Sequence, residues 1–497
     1  MSDTTNAAKL NKSEQKEMLK SLAIRIGVLQ RETKEKDIPT LVIIEGLDAS
    51  LKGQLLNKLI LEIDTRSYDV YSTHASHAEP RKYPLLWRFW NNTPSKGRIQ
   101  FFDRAGYYLT LDAWAEGNLS EDELERYWED QVEFEKQLSE DGVRIVKIFL
   151  TVSKKTQAER LEEMESNPKT AWRVTKKDWK RHDQYKAYRQ KVERMVEKTN
   201  TEFARWKVIE TDNFRSALIE LYETLSEELQ AALDYEASGR KPSKSTRWIP
   251  YDGPDYLSRV NLTPTLDRTY YKKLLKERQA TIHDLVHEIH THKIPVVLAY
   301  CGWDAAGKGG CIKRLVQGMD PRSYKVSPTA APTSTELSHH YLWRFWKEMP
   351  AQGRITIFDR SWYGRVLVER IEGLCSNVEW KRAYEEMNQM EKHLTDFGTV
   401  VIKFWLHIDN DTQLERFIAR EESPLKQWKI TEEDWRNRKK WNKYEQAANE
   451  MIHNTDKPNA PWVVVSSVCK MHARIKTLDT VIEHLQAAIE RNHKPVL

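Results

Sequence analysis

The chain has 497 residues, with 79 Lys and Arg against 74 Asp and Glu, a formal net charge of +5 and 39% apolar residues. That length exceeds the roughly 250–300 residues at which one hydrophobic core stops growing, so two domains are expected. Nothing reads as a leader or as about 18 consecutive apolar residues, and all four cysteines lie in the second half; these features argue against a membrane span and a disulfide framework, and for a cytoplasmic protein with reduced thiols.

In chain order, the first eight residues are small or polar and are expected to be disordered. Apolar runs at 41–44, 99–102, 144–150 and 207–210 read as strands of a first domain over residues 10–233. Residues 234–262 are rich in Pro, Gly and Ser and form the expected linker, with Trp248, Ile249 and Tyr251 expected to pack on a domain surface. The second domain, 263–497, opens with a charged helix at 266–292. A strand at 295–301, a glycine-rich turn and a helix at 308–318 follow. Strands at 355–358, 399–406 and 462–466 alternate with a helix at 379–396 and a last helix bearing Ile475, Leu478, Ile482 and Leu485. Strands alternating with helices predict a parallel sheet covered on both faces.

The two halves repeat one another. Trp-Arg-Phe-Trp stands at 87 and 343, Gly-Arg-Ile at 97 and 353, Phe-Asp-Arg at 102 and 358, and Trp-x-(Val/Ile)-Thr-x-x-Asp-Trp at 172 and 428, each pair 256 positions apart. A fixed offset means one fold duplicated, so each position has an internal counterpart.

Between its first strand and the following helix the second half reads Gly302-Trp-Asp-Ala-Ala-Gly307-Lys308-Gly309. A G-x-x-x-x-G-K loop in this setting cradles phosphate: Gly302, Gly307 and Gly309 let the backbone approach, the helix N-terminus directs its amides, and Lys308 neutralises oxygens. Gly309 stands where a Ser or Thr usually ligates Mg²⁺, and Asp304 is the substitute ligand. Asp359, after the next strand, is placed as a second metal carboxylate, and Arg360 beside it suits charge on a transferring phosphoryl group. Arg365 is a further phosphate candidate. A basic stretch between 416 and 443, with Arg416, Arg420, Lys426 and Arg438, reads as a polyanion track. The adjacent His339 and His340 are assigned to surface or helix packing.

These residues carry a resemblance. GWDAAGKGG at Gly302, WRFW at Trp343, GRITIFDRSWYGR at Gly353, FWLHI at Phe404 and LKQWKITEEDW at Leu425 resemble the polyphosphate kinase 2 family over nearly all of both halves. The resemblance implies two fused copies of a three-layer α/β/α, thymidylate-kinase-like P-loop fold with a parallel sheet, each copy with a helical lid. It also implies Mg²⁺-dependent (or Mn²⁺-dependent) phosphoryl transfer from inorganic polyphosphate to AMP, giving ADP. The acceptor ADP or GDP is the alternative, and ATP as donor a further one. Asp304, Lys308, Asp359 and Arg360 take the family's catalytic places, and Leu425–Thr431 its lid. A homo-oligomer is expected, with apolar surface of the first half as its interface, and neither nucleic acid nor membrane as partner.

Comparison across the offset separates the copies. Lys52, Asp48, Asp103 and Arg104 persist in the first half, but Gly307 becomes Leu51, Ser361 becomes Ala105, Gly364 becomes Tyr108 and Arg365 becomes Leu109. Arg420 and Arg438 become Met164 and His182. Catalysis is therefore expected in the second half alone. The recurring tryptophans, among them Trp172 and Trp428, are expected as core positions.

Overall fold

A computed structural model describes residues 10–73, 82–239 and 245–493; the first eight residues lie outside them. Among the described residues are ten strands in two parallel sheets. In the first, β1 (Thr40–Gly46), β2 (Tyr68–Ser72), β3 (Ile99–Asp103), β4 (Arg144–Thr151) and β5 (Trp206–Glu210) stand in the order β2-β3-β1-β4-β5. In the second, β6 (Val296–Gly302), β7 (Tyr324–Pro328), β8 (Ile355–Asp359), β9 (Val400–His407) and β10 (Trp462–Ser466) repeat it as β7-β8-β6-β9-β10. Both copies are thus helix-covered parallel α/β sheets, as the alternating pattern predicts.

The central strands are apolar because both faces are covered: β9 is buried at all eight positions and β6 at its first six. The edge strands β2 and β7 are missing from the sequence reading. Their residues are partly or fully exposed throughout, and β7 ends in a proline, so neither has an apolar run to find.

The described residues form two compact units, one of 10–73, 88–239 and 334–340 and the other of 82–87, 245–333 and 341–493. The helix Phe214–Ala237 continues past residue 233, into the expected linker. The later part of that linker packs on the second unit: the Arg370 guanidinium lies 4.7 Å from the Trp248 ring centre and donates to the Ile249 carbonyl at 2.8 Å. The four cysteines are free, and no described helix is long and apolar enough to cross a membrane.

The helices also repeat at the 256 offset, down to their caps. Thr175–Asp178 and Thr431–Asp434 are the same capping box at the start of Lys176–Asp183 and Glu432–Lys439. A buried ion pair repeats too: Lys147 Nζ to Glu135 Oε2 and Lys403 Nζ to Glu391 Oε2, both at 2.8 Å, with Tyr107 and Tyr363 hydroxyls donating to the same glutamates. One region breaks the pattern. The helix Gly106–Ala115 of the first copy is, in the second, a 3₁₀ turn Trp362–Arg365 and a short helix Val368–Glu372.

Candidate active site

The phosphate loop leaves the C-terminal end of β6, the middle strand of its sheet, where ligands of open α/β sheets bind. Gly302 has φ +133°, and a Cβ there would come within 2.4 Å of the Leu406 carbonyl oxygen, so no side chain fits. Gly307 caps the helix Lys308–Val316 at φ +112°, a conformation strained for any L side chain. Lys308 curls back over the loop, donating to the carbonyls of Gly302 and Trp303 at 2.8 and 3.0 Å. Burial lowers its pKa, and the nearby Arg360 adds to that, while Asp304 and Asp359 oppose it.

Asp304 faces two partners: Asn437 donates to it at 3.0 Å from the helix Glu432–Lys439, called the lid helix because it directly follows the expected lid Leu425–Thr431, and Arg360 at 3.3 Å. Arg360 follows Asp359 at the end of β8 with φ +65°, an uncommon backbone state for a bulky residue. Its N–H donates to the Tyr300 carbonyl and its own carbonyl accepts from Thr329 Oγ1. Arg104 repeats this at φ +64°. Both copies hold this backbone state, so it belongs to the turn after the strand; in the second it leaves the guanidinium 3.3 Å from Asp304. Lys308, Asp304, Arg360, Asn437, Trp441 and Tyr444 line one cavity of about 100 Å³. Gly364 and Val368, from the region where the two copies differ, line it as well.

Three arginines expected as phosphate ligands sit elsewhere. Arg416 is buried and spends its guanidinium on the carbonyls of Ala305, Ala306, Ser467 and Val468, at 2.6–3.1 Å. It holds the loop from behind. Arg438 donates to Asn410 and Gln413, tying the lid helix to its neighbour. Arg365 pairs with Glu369 at 3.0 Å and stacks on Tyr341 at 4.4 Å, away from the cavity. Arg420 donates to the Lys429 carbonyl at 3.2 Å, and Lys426 is exposed. Nothing lies within 4 Å of where a Gly309 side chain would begin.

The structure also brings in cations that sequence reasoning missed. Lys470 and Arg474 begin the last helix, Lys470–His493. A Cβ on Gly310, in the loop helix, would lie 3.6 Å from Arg474 Nη2. Partial desolvation, then the positive charges of Arg416, Lys426, Arg474 and Arg420, lower the Lys470 pKa to about 8. This cluster of cations beside the loop is what an anionic chain would neutralise. Its first-half counterparts for Lys470, Arg474, Arg420 and Lys426 are Phe214, Leu218, Met164 and Thr170.

In the first half the corresponding site is filled by its own side chains. Leu51 takes the Gly307 position at φ +58°. Arg181, in place of Asn437, pairs with Asp48 and Asp112, both at 2.6 Å. Tyr108, in place of Gly364, lies under Arg104 at 4.4 Å and Lys52 at 5.7 Å. Glu45, in place of Cys301, accepts the N–H groups of Ala105 and Tyr108 at 2.8 and 3.0 Å. Among the described residues Asp48, Arg104 and Lys52 thus each have an internal partner, Lys52 also pairing with Asp103 at 3.8 Å.

A family model described as Polyphosphate kinase 2 matches residues 9–237 and again 265–494. The chain belongs to the polyphosphate kinase 2 family. It is 39% identical over 475 residues to a polyphosphate:AMP phosphotransferase of Pseudomonas aeruginosa, covering 95% of this chain and 96% of that one. With a polyphosphate:AMP phosphotransferase of Acinetobacter johnsonii it shares 34% identity over 496 residues, 98% and 99% of the two chains. A crystal structure described as a polyphosphate kinase 2 of Pseudomonas aeruginosa superposes with a TM-score of 0.86 at 36% identity, over 97% of both chains. The protein is therefore a phosphotransferase of this family with its fold present twice.

Proposed function

We propose that the second half transfers the terminal phosphoryl group of inorganic polyphosphate to AMP. An α-phosphate oxygen of AMP attacks the terminal phosphorus and the bridging P–O bond breaks. ADP and a chain one phosphate shorter are released, and the reverse reaction runs through the same site. The observation that carries the reading is the match, over nearly the whole length of both chains, to two tandem relatives named polyphosphate:AMP phosphotransferase.

Lys308 and Arg360 would hold the transferring group, with the loop amides at the helix N-terminus. Lys470, Arg474, Arg420 and Lys426 would bind the donor chain, and the cavity under the lid would take the nucleotide. Mg²⁺ suits the donor set: it ordinarily takes one or two carboxylates and fills its remaining positions with phosphates and water. Asp304 and Asp359 supply two, and no group of three metal-binding side chains occurs among the described residues. Bound there, Mg²⁺ would neutralise charge on the phosphate oxygens.

The four free cysteines support a cytoplasmic location. Exposed Ile24 and Val28, four apart on the helix Lys12–Glu35, support an apolar interface on the first half for a homo-oligomer, which light scattering would test. The function is tested by offering polyphosphate or ATP as donor to AMP, ADP, GMP and GDP. ADP formed from AMP and polyphosphate, faster than any other product, is expected. Transfer only from ATP would overturn the reading, and a preference for ADP or GDP would correct its acceptor.

A further inference from the structure

Trp303 lies inside the phosphate loop, and Trp441 opens the helix Trp441–Thr455 two residues after the lid helix ends. Their rings stack face to face, centroids 3.7 Å apart and planes 6° from parallel. Trp303 is 5% exposed, and its Nε1–H donates to His407 Nδ1 at 3.0 Å. An indole N–H can only donate, so this His407 nitrogen must be unprotonated. Burial pushes the imidazole down to about 4, which keeps the acceptor available at neutral pH. The Trp303 carbonyl accepts from Lys308 Nζ. One residue thus meets the root of the lid with its ring, the sheet with its N–H and Lys308 with its carbonyl.

The first half supplies the control. Its counterparts of Trp303, His407 and Trp441 are Leu47, Thr151 and Tyr185. The backbone path is unchanged, since Leu47 N–H donates to the Leu150 carbonyl as Trp303 N–H does to that of Leu406. Tyr185 instead turns its hydroxyl to the Val152 carbonyl at 2.6 Å. The Lys–Glu–Tyr cluster described above stands in both copies, as a requirement of the fold does. The Trp–Trp–His trio stands only in the copy with an open phosphate site.

We infer that Trp441 is a positioning residue for phosphoryl transfer: stacked on Trp303, it seats the root of the lid on the phosphate loop and holds the carbonyl that places Lys308. The inference rests on the proposed transfer taking place in the second half. A free Trp303 would let the carbonyl that accepts from Lys308 Nζ move. Small displacements of this kind cost rate rather than binding.

The test uses full-length Trp441→Leu and Trp441→Phe beside wild type. It records kcat, both KM values, thermal unfolding and the exciton couplet that a stacked indole pair gives in circular dichroism. Trp441→Leu is expected to lose the couplet and to lower kcat about 10- to 100-fold, with KM for polyphosphate little changed. Trp441→Phe keeps a ring over Trp303 and is expected to recover most of kcat while still lacking the couplet. It also serves alone if the leucine variant does not fold. Wild-type kcat in a folded Trp441→Leu, a loss that appears in KM for polyphosphate or only in KM for AMP, or one that Phe fails to recover, overturns the inference. A wild type without polyphosphate-to-AMP transfer overturns the underlying reading instead, and is seen in the same assay.

Discussion

Arg181 and Asp48 form an ion pair at 2.6 Å where, 256 residues on, Asn437 makes a neutral hydrogen bond to Asp304 at 3.0 Å. In the first copy a cation from the helix Lys176–Asp183 pairs with the loop carboxylate; in the second the equivalent position is neutral, and the carboxylate's one ion pair is the longer one to Arg360, at 3.3 Å. Asn437→Arg should therefore close the working site, lowering the rate about 10²–10³-fold, comparable to losing a preorganised charge-stabilising group. Steady-state rates at rising Mg²⁺ check this, and near-wild-type activity would contradict it.

Lys470 should bind the donor and not the acceptor. Lys470→Met is expected to raise KM for polyphosphate about tenfold, the worth of one charge-assisted contact, and to leave KM for AMP unchanged. The ammonium titrates near 8, and an anion prefers the protonated form. KM for polyphosphate in wild type should then rise as pH rises through about 8, and the variant should lack that step.

Glu45 makes the first copy pH-sensitive. Burial raises its carboxyl from 4.5 to about 7, so the folded chain binds more protons than the unfolded chain between those values. Its contribution is complete below about 4.5 and is lost as pH rises through 7. Glu45→Gln should stabilise the protein at pH 8 by on the order of 2 kcal/mol, and by little at pH 5. Thermal unfolding at the two pH values decides it.

The repeated buried pair should matter equally in both copies. Lys147→Met strands Glu135, and Lys403→Met strands Glu391, each without its cation. Each should cost roughly 3–5 kcal/mol, read as a lowered midpoint in denaturant, and a neutral result at either position would contradict a structural role.

Much of this was legible in the sequence because burial leaves apolar runs. Residues 295–301 and 399–406 announce their strands, and the loop announces its phosphate. Charge was harder to read. Arg416 stands in a basic stretch, yet four backbone carbonyls absorb its guanidinium, which spacing cannot reveal. Its counterpart Arg160 also donates to the loop, at the Ala49 carbonyl, and retention in the closed copy is the mark of a structural arginine. Lys470 and Arg474 lie far from that stretch, but the same 256 offset returns Phe214 and Leu218, a contrast the sequence carries. Trp172 and Trp428 recur without being core: they are 74% and 75% exposed. Their shared motif serves elsewhere, through the Thr–Asp capping box and through Trp179 and Trp435, whose indoles bond Glu165 and Glu421.

A duplicated chain with one working site should lose transfer on substitution of one loop lysine only. The most direct measurement is AMP phosphorylation by polyphosphate in Lys308→Ala and Lys52→Ala. A rate lowered about 10²–10³-fold in the first and unchanged in the second is predicted. Equal losses in both would contradict the account.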